Sequence, residues 1–496
     1  MRLRPFFLWV FLAAFAHAAA ADPLDGLDAQ LEKMLADWDV PGAAVGIVHE
    51  GKLVYARGFG VRELGKPDKV DADTLFYAAS TTKAVTALAA GLLVQEGKMS
   101  WDAPLAQYLP GLAFADPRAT ADITVRDALS HRTGYATNEG DLLFTGSTYT
   151  ARQAVMRFPF ISRRLPFRTE FGYSNLMFAA VGEAVAEQSG LSLDEFLSRR
   201  FWQPLGMTRT FTRFADYTAQ PNLFVPHSAR RGPLRTYPHR SLDAAGGAGF
   251  IVTSVNDYAK WVALLLEGGG EILQPATLRA VWSPVLAIGD GGRASWFMPE
   301  TATYSYGLGW FVGDFRGSPL KFHRGNWLGG MAAVGLLPER KLGVIVFENR
   351  DGNSFVNAVV YSILERYVPG PKAVDFSAQF LASSHGGISA ASPAAALPVR
   401  PPAWPLSDYT GRFASEAYGG EAVISLQDGA LRLALSAHPG AVELKPVQGE
   451  VFEAAGSASA LTGARVRFTC GLDGTVTGFD LSVSWDRMIW TFSRLP

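Results

Sequence analysis

Cysteine is nearly missing: the 496 residues contain one, Cys470. A single thiol makes no internal disulfide and no cysteine-cluster metal site. Charge is scarce and balanced, with 45 Lys plus Arg against 46 Asp plus Glu. That balance argues against nucleic acid binding by bulk electrostatics. No His-Glu-x-x-His, P-loop or complete dinucleotide fingerprint occurs, so no metal and no nucleotide cofactor is expected. No repeat of solenoid length is apparent. Apolar residues are plentiful instead. The chain is 48% hydrophobic and 12% aromatic, which excludes disorder for most of it, and its length points to more than one domain.

The N-terminus reads as an export signal over residues 1–21. Arg2 and Arg4 form a positive start, Phe6 to Phe15 an apolar run, and small residues follow, with cleavage sites after Ala18, Ala20 or Ala21. The run is too short to span a bilayer, so a cleaved signal is expected rather than a stable membrane anchor. No cysteine lies near the cleavage region to carry a lipid. Export without disulfides points to a periplasmic or secreted protein.

Helical spacing over Leu24 to Trp38 is followed by two apolar runs, Gly42 to Val48 and Leu53 to Phe59, joined at Glu50-Gly51 as in a hairpin. Ser80 to Val94 reads as a largely apolar helix closed by Gly97, and Leu176 to Ala186 as another. Ala332 to Leu337 and Leu342 to Phe347 read as strands, and Phe355 to Tyr367 as a helix. This order predicts α+β layering in which the first and last segments share one sheet. Residues 369–404 are Pro- and Ala-rich and read as a linker. Beyond it, in residues 405–496, short strand-like runs recur (Val423–Leu426, Leu431–Leu435, Val466–Cys470, Phe479–Val483, Met488–Phe492), which predicts a small all-β domain, barrel or sandwich. All the candidate chemistry lies before Pro369, so residues 22–368 are expected to fold and react alone.

Ser80-Thr81-Thr82-Lys83 places a hydroxyl and an amine at i and i+3 on one helix face. A nucleophilic serine needs a proton acceptor and donors for its oxyanion, and a helix start can supply both. The same spacing at Ser318 and Lys321 does not open a helix. Tyr173-Ser174-Asn175 is the only Tyr-x-Asn in the chain. A phenol beside an ammonium is lowered in pKa and reads as a general base, and Asn175 as a holder of Lys83 or of a substrate amide. Each motif taken alone also has a structural reading, as a helix cap or a packed helix entry. His-x-Gly occurs at His49, His323, His385 and His438, and only His323-Arg324-Gly325 follows both other motifs beside the late strands. His131, in a Thr-Gly turn, reads as structural.

Taken in order, Ser80-x-x-Lys83, Tyr173-x-Asn175 and His323-x-Gly325 resemble the motifs of the penicillin-recognising serine hydrolases: class C β-lactamases, D-alanyl-D-alanine peptidases and related esterases. Leu129 to Gly134, Pro204 to Thr208, Gly246-Gly247 and Tyr306 to Trp310 look similar to that family too. Residues 405–496 resemble the small β domain often appended to it. The resemblance implies a β-lactamase/transpeptidase-like sheet with a helical subdomain over residues 22–368, and a barrel-like C-terminal domain. It implies that Ser80 is acylated, that Lys83 and Tyr173 move protons, that Asn175 binds Lys83 or substrate, and that the backbone N–H groups of Ser80 and Asn326 form the oxyanion hole. Gly325, Tyr306, Trp310 and Trp327 are expected around the substrate. His323 stands where the lactamases carry a lysine, and Arg324 where they carry a threonine. Members with histidine there are often esterases or peptidases. The expectation is an exported serine hydrolase acting on a small-molecule or peptide substrate, esterase-like. Its rivals are a D-amino acid peptidase, a β-lactamase and a non-catalytic binder of cell-wall peptides. Oligomeric state is not legible.

Overall fold

The computed structural model describes residues 22–230, 232–288, 297–302, 304–387, 400–456 and 460–496. The export segment, residues 1–21, lies outside them.

The chain opens with helix α1 (Leu27–Asp37), whose Leu27, Leu31 and Met34 recur on one buried face. Strands β1 (Gly42–His49) and β2 (Lys52–Gly60) follow. Glu50 and Gly51 between them both take positive φ, 50° and 76°, the two-residue turn whose twist matches an antiparallel pair. Helix α2 (Thr82–Gln95) is buried on nearly every side from Thr82 to Leu93, so it forms the centre of the molecule rather than a surface. Helix α3 (Asn175–Ser189) is opened by the Ser174 side chain, which accepts from the Met177 N–H. Helix α4 (Val255–Leu266) starts the same way, at Ser254.

The remaining strands of the main sheet are β3 (Leu286–Ala287), β4 (Tyr304–Tyr306), β5 (Phe311–Phe315), β6 (Ser318–Trp327), β7 (Gly330–Leu337) and β8 (Leu342–Glu348). Together the eight run in the order β2-β1-β8-β7-β6-β5-β4-β3. The first hairpin therefore pairs with the late strands, from Ala43 opposite Glu348 to His49 opposite Leu342, as the sequence predicts. Side chains alternate across this sheet. Val45 and Ile47 pack towards α1 and the helix α5 (Phe355–Tyr367), while Ala44, Val48 and Ile345 pack towards α2 and α4.

One expectation changes and another is sharpened. The segment expected as a linker contains a further helix, α6 (Phe376–Gly387). Phe376 and Phe380, one turn apart, bury their rings against Tyr361 of α5 at 5.5 and 5.8 Å between centroids, and that packing overrides a composition that looks loose. The C-terminal region is a closed barrel of eight antiparallel strands, from Gly411–Ser415 to Ile489–Arg494. Gly411–Ser415, His438–Gln448 and Val451–Ala455 are strands without a matching apolar run in the sequence reading. Their inward residues are spaced by exposed polar ones, such as Phe452 and Ala454 around Glu453.

The barrel is packed into the rest of the molecule. Its Tyr418 and Trp490 belong to the same continuous apolar core as Leu142 and Phe144. The Thr148 N–H donates to the Ala437 carbonyl at 2.8 Å, and the Tyr149 hydroxyl to the Tyr418 carbonyl at 2.8 Å.

Candidate active site

Ser80 sits in a tight turn, Ala79–Thr81, that leads directly into α2. Ala79 holds φ at 46°, a left-handed conformation that an alanine adopts only when its surroundings impose it. What imposes it is strand β6. A Cβ on Gly325 would lie 2.6 Å from both the Ala78 carbonyl oxygen and the Ser80 nitrogen, so only glycine lets β6 press this close. Gly325 therefore shapes the turn. Asn326, the next residue, is exposed beside it. Ser80 caps no amide with its side chain, contrary to the helix-cap reading.

Lys83, one turn on, is fully buried. Its Nζ lies 3.1 Å from Ser80 Oγ, 2.7 Å from Asn175 Oδ1 and 2.8 Å from the Ala248 carbonyl oxygen. Burial lowers the amine to about 7, and Asp141 opposes part of that fall. A neutral amine satisfies these contacts: two N–H bonds go to the two obligate acceptors, and its lone pair faces the Ser80 hydroxyl. This is the geometry of a general base on a nucleophile. The second Ser-x-x-Lys copy offers nothing comparable. Lys321 lies on strand β6 and donates to the Trp282 carbonyl.

Asn175 is the first residue of α3, and its orientation is fixed from behind. Its Nδ2 donates to Asp141 Oδ2 at 2.9 Å, which turns Oδ1 towards Lys83. Asp141 is buried, and its carboxyl is pushed up to about 8, first by desolvation and then by the charge of Asp486. The sequence carries no motif for Asp141. Only the folded chain shows it.

Tyr173 hydrogen-bonds Ser80, and its ring centroid lies 4.8 Å from Lys83 Nζ. The expected lowering of its phenol does not occur. Burial pushes the phenol well above its ordinary value and outweighs the hydrogen bond with Ser80. Tyr173 is thus protonated, and the lowered Lys83 amine is the group placed to take a proton from Ser80.

Two histidines back this constellation. His131 takes φ 58°, and its Nδ1 accepts the Ser174 N–H at 3.0 Å. Its ring lies 4.3 Å from that of Tyr173, so it holds the Tyr-Ser-Asn turn. His323, expected as catalytic, is only 1% exposed. Its Nε2 meets the Tyr306 hydroxyl at 3.0 Å and its Nδ1 the Arg324 carbonyl oxygen at 2.7 Å. Burial lowers the imidazole to about 3. Both ring nitrogens are engaged within the protein, and the ring lies 6.4 Å from that of Tyr173. Tyr306 is fully buried behind it. Trp310 is stacked on Trp261 at 6.0 Å inside the core. Neither side chain is exposed. Trp327 is half-buried and stacks near Phe144 at 6.5 Å, and its indole N–H has no partner among the described residues. Of the four expected pocket residues, Gly325 and Trp327 remain near the nucleophile's strand end.

A beta-lactamase family model matches residues 27–366. The chain belongs to the beta-lactamase family. A second model, a domain of unknown function (DUF3471), matches residues 396–493, which contain the barrel. Among curated relatives of this beta-lactamase-family chain, an unguisins hydrolase of Aspergillus violaceofuscus is 30% identical over 444 residues, spanning 82% of this chain and 78% of that one. Penicillin-binding protein 4 of Amycolatopsis lactamdurans is 27% identical and spans 60% of this chain and 78% of its own. Among solved structures, the octameric penicillin-binding protein homologue from Pyrococcus abyssi superposes with a TM-score of 0.63 at 18% identity, over 95% of this chain and all of that one. The D-amino acid amidase from Ochrobactrum anthropi gives a TM-score of 0.58 at 23% identity, over 70% of this chain and 99% of that one. The protein is a serine hydrolase of the beta-lactamase fold with an appended eight-stranded barrel.

Proposed function

We propose that the protein hydrolyses an ester through an acyl-enzyme on Ser80. The observation that carries the reading is the buried, lowered Lys83 amine 3.1 Å from Ser80 Oγ. Lys83 takes the hydroxyl proton as Oγ attacks the carbonyl carbon. The carbonyl electrons move onto oxygen, where the backbone N–H groups of Ser80 and Asn326 are the expected donors. Tyr173 delivers a proton to the leaving alcohol and is reprotonated from Lys83. Water then attacks the acyl carbon, giving its proton to the same pair and releasing the acid from Ser80.

The ester preference rests on charge. A β-lactam or a peptide C-terminus carries a carboxylate that a cation binds well. At position 323 this chain has a buried neutral imidazole. Arg324, the next residue on the strand, holds its guanidinium 4.9 Å from the Phe297 ring. A second reading, cleavage of an amide of a D-amino acid or peptide, is favoured by the relative named as an unguisins hydrolase and by the D-amino acid amidase among the structural neighbours. Residues 1–21 support export of the mature chain to the periplasm or medium.

A fluorescent fluorophosphonate tests the acyl-enzyme directly: wild type is expected to label and Ser80→Ala not to. Rates on p-nitrophenyl butyrate, nitrocefin and D-alanyl peptides separate the substrate classes. Nitrocefin turnover matching that of the ester would refute the ester preference.

A further inference from the structure

The catalytic lysine is tied to the barrel by an unbroken set of hydrogen bonds. Asp486, in the turn before the last barrel strand, is a buried carboxylate. Its Oδ1 accepts the Gly140 N–H at 3.0 Å and the Met488 N–H at 2.9 Å. Its Oδ2 accepts the Leu142 N–H at 2.9 Å and the Trp490 indole N–H at 3.2 Å. Two of these four donors belong to the catalytic region, and they flank Asp141. Gly140 has φ 87°, and a Cβ there would lie 2.5 Å from a Leu176 side-chain carbon. The turn is thereby clamped between α3 and the barrel. From it Asp141 fixes Asn175, and Asn175 reaches Lys83.

We propose that Asp486 is a positioning residue for Lys83, acting from the barrel through the 140–142 turn, Asp141 and Asn175. This rests on the reading of Lys83 as the base. Asp486 would act in two ways. It holds the turn in place, and its charge disfavours ionisation of Asp141, which limits how far that carboxyl stabilises Lys83 as an ammonium. The other ionisable groups facing this set are Glu139 beside Asp486 and Asp141, Arg164 paired with Glu139, His438 against the 142–145 carbonyls, and Tyr173, His131 and His323 around Lys83.

The test uses the full chain. Asp486→Asn removes the charge and half of the acceptor capacity, whereas Asp486→Glu keeps the charge and lengthens the arm by one methylene. Asp486→Asn is expected to lower kcat/KM at pH 7 by about tenfold to hundredfold. It should also move the acidic limb of the pH profile upward, because Asp141 then ionises more readily and holds Lys83 protonated. Asp486→Glu should lower kcat with the limb nearly unmoved. Either variant, folded and matching wild type in rate and profile, overturns the proposal. Failure of both to fold overturns it as well, since it would make Asp486 a structural residue. Fluorophosphonate labelling of wild type is read first, so failure of the acyl-enzyme reading is seen separately.

Discussion

At the scale of single residues, the site depends on which group carries the proton. Lys83 has lost its solvent and faces two carbonyl-type acceptors and a hydroxyl, so its amine titrates near 7. Below that pH it is an ammonium and accepts no proton from Ser80. Above it the lone pair is available. The neighbouring Asp141 titrates near 8, and the two are close enough to share their proton losses. On an ester substrate, kcat/KM is therefore expected to rise with pH across about pH 7 to 8, and a stopped-flow or plate-based pH series checks it. A rise centred near pH 4 would instead assign the base to a carboxylate. Ser80→Ala removes the nucleophile and one hydrogen bond to Lys83. Turnover should vanish while stability changes by only about 1 kcal/mol, as thermal melts beside an ester assay would show. Residual hydrolysis at the wild-type rate would contradict the assignment. His323→Lys, attractive from sequence as a route to lactamase activity, would bury a second amine beside Lys83. It is expected to destabilise the protein without creating nitrocefin turnover.

At the scale of elements, two close approaches make the site. Strand β6 touches the turn before α2 at Gly325, and α3 points its first residue at Lys83. The first contact has no slack, because the two atoms nearest a Cβ on Gly325 are backbone. Gly325→Ala must therefore push β6 away from the Ser80 turn. The expected cost is about 1 to 3 kcal/mol, together with slower acylation, since the Ser80 and Asn326 amides would separate. A melting curve and a fluorophosphonate labelling time course measure the two effects. A variant with unchanged melting and unchanged labelling would show that the turn tolerates the methyl group.

At the scale of the whole molecule, the barrel is packed against the turn that carries Asp141. The sequence reading expects residues 22–368 to react alone. In the folded chain, the turn carrying Asp141 takes two of its amide partners from Asp486, and Leu142 and Phe144 share a core with barrel residues. A chain ending at residue 368 leaves those amides without their carboxylate and exposes apolar surface. It also lacks α6, which covers Tyr361. Its labelling rate is expected to fall by more than about tenfold relative to the full chain. Equal labelling of the truncated and full chains would return the chemistry to the first 368 residues.

What the sequence determined by itself is local. Periodicity placed α1, the Glu50-Gly51 hairpin, α2, α3 and the late strands, because apolar spacing and turn residues act over a few positions. Ser80, Lys83, Tyr173 and Asn175 were legible because short motifs fix side chains on one turn. The tertiary structure alone decided the rest. It buried His323, Tyr306 and Trp310, turned the linker's middle into a packed helix and closed the barrel. It also brought Asp141 and Asp486, 345 positions apart in number, into one electrostatic set. The physical reason is that desolvation and long-range hydrogen bonding depend on what surrounds a group in space, and no spacing along the chain records that.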